Sequence, residues 1–316
     1  MTGRVLVLGG TGFVGRSVCE QLVRAGWRVT VPTRRAVNAR SVQHLPGLDV
    51  LPANVHDPAE LARLLPGHDA VVNLVAILHG DEVAFERVHV TLPRQLSQAC
   101  VAAGVRRLVH ISALGADAQG PSKYQRSKAA GEAVLLAAGL ALTVLRPSVI
   151  FGAQDRFLNL FARLQSVFPF MPLAGAHTRF QPVWVEDVAR AVVACLQNPH
   201  TVGQTIECAG PEVLTLADLV RLAGQFGSRQ RPVMPLPLGL GRLQAALMEL
   251  APGEPMMSRD NVDSMRVDNV ASGSLPGLAT LGITVASVRA VAPGYLCARG
   301  PRSALDAHRA HGQRPL

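Results

Sequence analysis

Tyr124 and Lys128 stand four residues apart in Ser122-Lys123-Tyr124-Gln125-Arg126-Ser127-Lys128, which reads as the start of a helix running towards Leu136. On a helix that spacing puts both side chains on one face. An ammonium beside a phenol favours the phenolate, so the pair is expected to lower the tyrosine pKa into a range useful for proton transfer. Abundance does not produce it: the chain's tyrosines are Tyr124 and Tyr295, and its lysines Lys123 and Lys128. Ser112 ends an apolar run and could hold a substrate carbonyl or hydroxyl by hydrogen bond. A tyrosine and a lysine four apart also make an ordinary helix surface, and a strand-end hydroxyl can serve local backbone groups. The surrounding elements decide between these readings.

The first such element is Val5-Leu6-Val7-Leu8 followed by Gly9-Gly10-Thr11-Gly12-Phe13-Val14-Gly15. Four apolar residues read as a buried strand, and Gly10-x-Gly12-x-x-Gly15 opens a helix that continues to Gly26. A helix N-terminus presents free N–H groups and partial positive charge, so a pyrophosphate can lie against it where no side chain blocks the backbone. Strand, glycine turn and helix in this order predict a dinucleotide. Trp27 to Pro32 reads as a second strand ending in Thr33-Arg34-Arg35, and no acid occurs between Glu20 and Asp49. An acid after the second strand would bind the ribose hydroxyls of NAD, whereas a guanidinium matches an added 2′-phosphate. NADP(H) is favoured and NAD(H) left open.

Further along, Leu48 to Ala53 reads as a third strand, and Asp57-Pro58-Ala59-Glu60 as a capped helix start. Val55 or Asp57 offers a supplementary adenine contact. Ala70 to Leu78 reads as a fourth strand with Asn73, Val75 and Ala76 near its cofactor end. A helix follows from Phe85 to Ala103, then a strand from Arg107 to Ser112 and another from Leu140 to Arg146. This alternation predicts an α/β fold, a Rossmann-type doubly wound parallel sheet with ligands at the carboxyl ends of its strands. Residues 1–152 are expected to form the NAD(P)-binding domain, completed by parts of 182–226. Residues 153–181 and 227–316 would form a smaller C-terminal substrate or lid lobe. There, Phe157 to Phe168 is expected to carry Phe161 and Val167 towards an apolar cleft. Helices are expected from Glu186 to Leu196, Thr215 to Phe226 and Thr284 to Val291, with a strand at Thr205 to Ala209. An amphipathic helix ending at Leu250 could supply a lid or a membrane-interface patch, and Ser258-Arg259-Asp260-Asn261 starts another.

Composition narrows the classes. With 48% hydrophobic and 17% charged residues, the chain is that of a globular protein. The net charge of +9 comes from scattered arginines, and aromatic residues amount to 4%, so no stacking stripe for nucleic acid is formed. The uncharged stretch from Asn269 to Val288 is interrupted by Gly273, Pro276, Gly277 and Gly282, which argues against a membrane span. Met1 to Arg4 is too short for a signal peptide ahead of the first strand. Cys19, Cys100, Cys195, Cys208 and Cys297 show no paired spacing and read as buried thiols of a reducing compartment, the cytoplasm. The tail carrying Arg299, Arg302, Arg309 and Arg314 is expected to be frayed, with His308 and His311 as tail residues, and no metal site is expected.

The glycine turn, Ser112, Tyr124-x-x-x-Lys128 and Leu145-Arg146-Pro147-Ser148-Val149-Ile150-Phe151-Gly152 resemble the extended or atypical short-chain dehydrogenase/reductases, the NAD-dependent epimerase/dehydratase-like group. Pro182 to Ala189 and Cys208-Ala209-Gly210-Pro211-Glu212 extend the likeness, which is nearer to bacterial relatives of the nucleotide-binding accessory subunit of respiratory complex I. The resemblance implies that Gly9, Gly12 and Gly15 cradle pyrophosphate, with Thr11, Phe13 and Val14 as further cofactor-binding residues of the turn. It also implies that Lys128 binds the nicotinamide ribose and that Pro147 to Val149 flank the nicotinamide. Asn54 stands where the family often has Asp, and Ala113 where many active members have a hydroxyl. Two functions follow. One is an oxidoreductase or epimerase for a hydrophobic carbonyl or hydroxyl compound, quinone-related substrates included. The other is a non-catalytic NADPH-binding subunit of a respiratory complex, peripheral at the cytoplasmic face of the inner membrane.

Overall fold

The computed structural model describes residues 3–250 and 255–297. The tail arginines, His308 and His311 lie outside the described residues. The first half alternates as the sequence pattern requires: β1 Arg4–Leu8, α1 Phe13–Arg24, β2 Arg28–Thr33, β3 Leu48–Pro52, α2 Pro58–Leu64, β4 Ala70–Asn73, α3 Glu82–Glu86, α4 Leu92–Ala103, β5 Arg107–Ile111, α5 Lys123–Leu136 and β6 Ala141–Pro147. The second half is made of shorter pieces. In order these are β7 Ile150–Phe151, α6 Leu158–Val167, β8 Met171–Ala174, β9 Arg179–Phe180, β10 Val183–Trp184, α7 Val185–Gln197, β11 Thr205–Cys208, β12 Leu214–Thr215, α8 Leu216–Phe226, β13 Val233–Leu236, α9 Leu238–Glu249, α10 Arg259–Ser264, α11 Val288–Val291 and α12 Pro293–Leu296.

Among the described residues one seven-stranded sheet has the order β11-β6-β5-β4-β1-β2-β3, and every pairing in it is parallel. Side chains alternate across a strand, so Val5 and Val7 join α1 and α7 on one face, while Leu6 and Leu8 join α2, α4 and α5 on the other. Both faces of β1 are closed from Val5 on, which is why Val5 to Leu8 is an unbroken apolar run after the exposed Arg4. The chain leaves β1 for β2 on one side and returns at β4 on the other. The crevice above their carboxyl ends is the topological switch point where doubly wound folds bind ligands. The second lobe has its own cores, one around Phe151, Leu158 and Leu219, the other around Met171, Leu173 and Val220.

Four expectations are corrected. The single helix from Phe85 to Ala103 is interrupted by a π-helical turn at Arg87–Thr91. Pro93 has no N–H to give the carbonyl of His89 four residues earlier, and this carbonyl instead lies against Gly131 of α5, where a Cβ would stand 1.9 Å away. Val167 is 70% exposed, not directed into a cleft, and Phe161 is packed into the lobe's cores. The helix expected from Thr284 begins only at Val288, because Ser287 caps it by accepting from the Ala290 N–H, and α12 follows it. Cys297 is exposed, whereas the other four cysteines are buried and free. Among the described residues no helix is long and apolar enough to cross a membrane.

Candidate active site

The glycine turn closes on itself through a Gly12 N–H bond to the Gly9 carbonyl, 3.0 Å long. Gly9 has φ +83°, a left-handed conformation that favours glycine. A Cβ on Gly15 would lie 2.2 Å from the Gly9 oxygen. Helix α1 starts directly behind, with Gly12 as N-cap, no side chain capping it and no acid in its first turn. Its first N–H groups therefore face the crevice free of any protein partner from the cap, beside the half-buried Thr11, Phe13 and Val14. The ring of Phe13 lies against Gly152 at the end of β7, joining the turn to the second half of the chain. An uncapped N-terminus and a backbone with no room for side chains fit a pyrophosphate.

Arg34 and Arg35 are exposed just past β2. His56, past β3, has its pKa lowered by burial and then by the charges of Arg87 and Arg34. Arg87, at the start of the π turn, thus adds to the positive field at this end of the crevice. Val55 and Val75 are half-buried against the core beneath, and Ala76 is exposed. Asn73 holds the loop after β4 by accepting from the Val75 N–H at 3.2 Å and donating to His110 Nδ1 at 3.2 Å.

Ser112 follows β5 directly, and its N–H donates to the Leu145 carbonyl at 2.7 Å. Its hydroxyl is buried and has no hydrogen-bond partner, so it is a donor awaiting an acceptor. Lys128 is fully buried and its Nζ donates to the carbonyl of Ile111, the residue before Ser112, at 2.9 Å. The loss of solvent brings this ammonium down to about 8, with Glu132 opposing the shift. Burial pushes the Tyr124 hydroxyl up to about 12. This corrects the expectation of a lowered value: in this arrangement desolvation of the phenol outweighs the ammonium one turn away.

Residues far off in sequence complete the site. His89, on the π turn, stands edge-on to the Tyr124 ring at 5.6 Å. Its Nε2 accepts from the Ile77 N–H at 3.1 Å, which leaves Nδ1 to donate to Ser127 Oγ at 2.8 Å. Burial, then Lys128, lowers it to about 3, so it is neutral. Glu132, buried one turn beyond Lys128, forms a two-bonded ion pair with Arg146. Pro147 is buried at the end of β6, and its carbonyl accepts from the Leu114 N–H at 2.8 Å. The Val149 N–H donates to Asn269 Oδ1 at 3.2 Å, and Asn269 Nδ2 donates to the Leu114 carbonyl at 3.0 Å. Asn269 thereby fastens the loop after Ser112 to the loop after β6. A lone histidine and a lone asparagine carry no spacing signal, although Pro93 four residues after His89 marks the broken helix.

Residues 5–209 match the NAD dependent epimerase/dehydratase family. The chain is 36% identical over 286 residues to NADH dehydrogenase (ubiquinone) 1 alpha subcomplex subunit 9, mitochondrial, of Mus musculus, covering 88% of this chain and 75% of that protein. It is 31% identical over 199 residues to a ceramide reductase of Caulobacter vibrioides, 62% of each chain being covered. The fold matches a mutant of UDP-glucuronic acid 4-epimerase from Bacillus cereus in complex with a UDP-sugar and NAD, with a TM-score of 0.70 at 18% identity over 93% of this chain and 98% of that one. The chain belongs to the NAD-dependent epimerase/dehydratase family of extended short-chain dehydrogenase/reductases, among relatives of the complex I accessory subunit.

Proposed function

We propose that this protein is an NADP(H)-dependent oxidoreductase or epimerase acting on a hydrophobic carbonyl or hydroxyl compound, with quinone-like and long-chain ketone substrates as the leading classes. The observation that carries it is the buried, unpartnered Ser112 hydroxyl, set beside the Ile111 carbonyl that holds Lys128, one helical turn from Tyr124. In this reading Gly9, Thr11, Gly12, Phe13, Val14 and Gly15 hold the pyrophosphate. Val55, Val75 and Ala76 line the adenosine side, Arg34 and Arg35 take the 2′-phosphate, and Pro147 and Val149 flank the nicotinamide. When bound, the nucleotide supplies or accepts hydride at the substrate carbon. Ser112 orients the substrate oxygen by hydrogen bond. Tyr124 gives its hydroxyl proton to that oxygen in reduction and takes it back in oxidation, and Lys128 binds the ribose and favours the phenolate electrostatically. The ceramide reductase relative supports a lipid-like carbonyl.

A second reading has support from one surface. Leu240, Leu243 and Leu247 are exposed along one side of α9, as is Leu250 just past its end, opposite Gly241 and Ala245, which are buried where the helix packs on β8. An apolar stripe of this kind suits a subunit seated in a respiratory complex or on its membrane. The test is to identify the nucleotide released from gently purified protein and to follow NADPH oxidation against a panel of quinones and long-chain ketones. NADP(H) and substrate-dependent oxidation are expected. NAD(H) alone would overturn the role given to Arg34 and Arg35, and bound nucleotide without turnover across the panel would favour the second reading.

A further inference from the structure

The N-terminus of α5 is closed by a carboxylate from the other lobe. Asp260 Oδ1 accepts from the Lys123 N–H at 2.7 Å and its Oδ2 from the Tyr124 N–H at 3.0 Å. Ser122 Oγ accepts from the Gln125 N–H, and Gln125 Oε1 from the Ser122 N–H. Every first-turn donor of α5 is thus held, although α5 has no acid of its own in that turn. Asp260 is itself fixed on several sides. Ser258 and Asn261 form a capping box on α10, and the Arg259 N–H and Nε both donate to Glu249 of α9 at 2.8 Å. Asn261 Nδ2 reaches the Leu78 carbonyl in the loop after β4, at 3.4 Å.

We propose that Asp260 is the positioning residue of the Tyr124–Lys128 pair, setting the backbone of Tyr124 from the second lobe so that the proton donor is aligned only while α10 is docked on α5. The inference rests on the function proposed above, in which Tyr124 moves the proton. Asp260 acts through the Tyr124 backbone and does not touch the reacting atoms. Through space its negative charge is expected to oppose formation of the phenolate. The other charged and titratable groups facing this turn are Lys128 on α5, the neutral His89 on the π turn, and the Lys123–Glu82 ion pair from α3, 3.4 Å long. On α10, Arg259 is paired with Glu249, and Asp263 with Arg242.

The test compares Asp260→Asn, Asp260→Ser and Asp260→Glu in the full chain, with folding followed by circular dichroism. Phenolate absorbance is read directly after a rapid pH jump, before base unfolding contributes. The measurement is made in a Tyr295→Phe background, which leaves Tyr124 as the one tyrosine of the chain. Removing the charge is expected to lower the Tyr124 midpoint by about half a pH unit in the Asn and Ser variants, with Glu keeping the original midpoint. Turnover should fall by about tenfold in kcat with KM for NADPH unchanged, and Glu should restore most of it. An unchanged midpoint in a folded Asn or Ser variant, or full turnover in either, overturns the proposal. The midpoint needs neither nucleotide nor substrate. A shifted midpoint in a protein without turnover would therefore leave Asp260 in place and count against the proposed reaction, whereas normal wild-type turnover with no shift would count against Asp260 alone.

Discussion

Two helix N-termini at the carboxyl end of the parallel sheet are finished in opposite ways. At α1 the cap is Gly12, no side chain serves the first N–H groups, and glycine clears the approach. At α5 the cap is Ser122, and the Ser122–Gln125 box together with Asp260 leaves no first-turn donor free. An open N-terminus can take a ligand anion, while a closed one can hold a side chain still. In the proposed function these are the two requirements of the site: α1 binds and α5 reacts.

Closing the open end should have the largest effect. Gly15→Ala drives a Cβ into the Gly9 carbonyl and is expected to weaken NADPH binding by about a hundredfold or more, measured by nucleotide fluorescence. Gly12→Asp sharpens the comparison further, because a carboxylate cap should stabilise α1 by up to ~1 kcal/mol while weakening NADPH binding by about tenfold. Binding and thermal stability then move in opposite directions. Opening the closed end with Ser122→Ala removes the side-chain acceptor of the Gln125 N–H. It should destabilise the protein by about 1 kcal/mol in a denaturant titration, with nucleotide affinity unchanged.

A further effect concerns acid. His89 has a folded pKa of about 3 against an ordinary 6.5, and His110 is lowered well below its ordinary value by burial, Lys128 and His89. Between the folded and unfolded values the unfolded chain binds more protons, so stability is complete above about pH 6.5 and is lost as pH falls towards 3. His89→Gln should flatten that loss in melting temperature while leaving NADPH binding at α1 intact.

The open end was legible in the sequence because it is local. A buried strand, a glycine turn and a helix start occupy one continuous stretch, and β1, Gly9 with its positive φ and α1 stand where that stretch puts them. The Tyr124–Lys128 spacing and the Asp57 cap are local in the same sense, and Asp57 does accept from the Ala59 N–H. The closed end was legible only in part. Asp260 meets Tyr124 across 136 residues, and Asn269 meets Leu114 across 155. No periodicity connects such pairs. The direction of the Tyr124 shift escapes the sequence for a related reason: spacing gives the distance to Lys128, whereas burial depends on Phe85, His89 and the whole packed face. Val167 shows the same limit, since an apolar residue on an apolar helix says nothing of which side the other lobe leaves open.

The division between a binding end and a reacting end is tested most directly by Tyr124→Phe, with NADPH affinity and substrate turnover measured on the same preparation. An NADPH Kd within about twofold of wild type and a turnover reduced by about a thousandfold or more are expected. Turnover retained at the wild-type level, or lost only in step with NADPH binding, would contradict it.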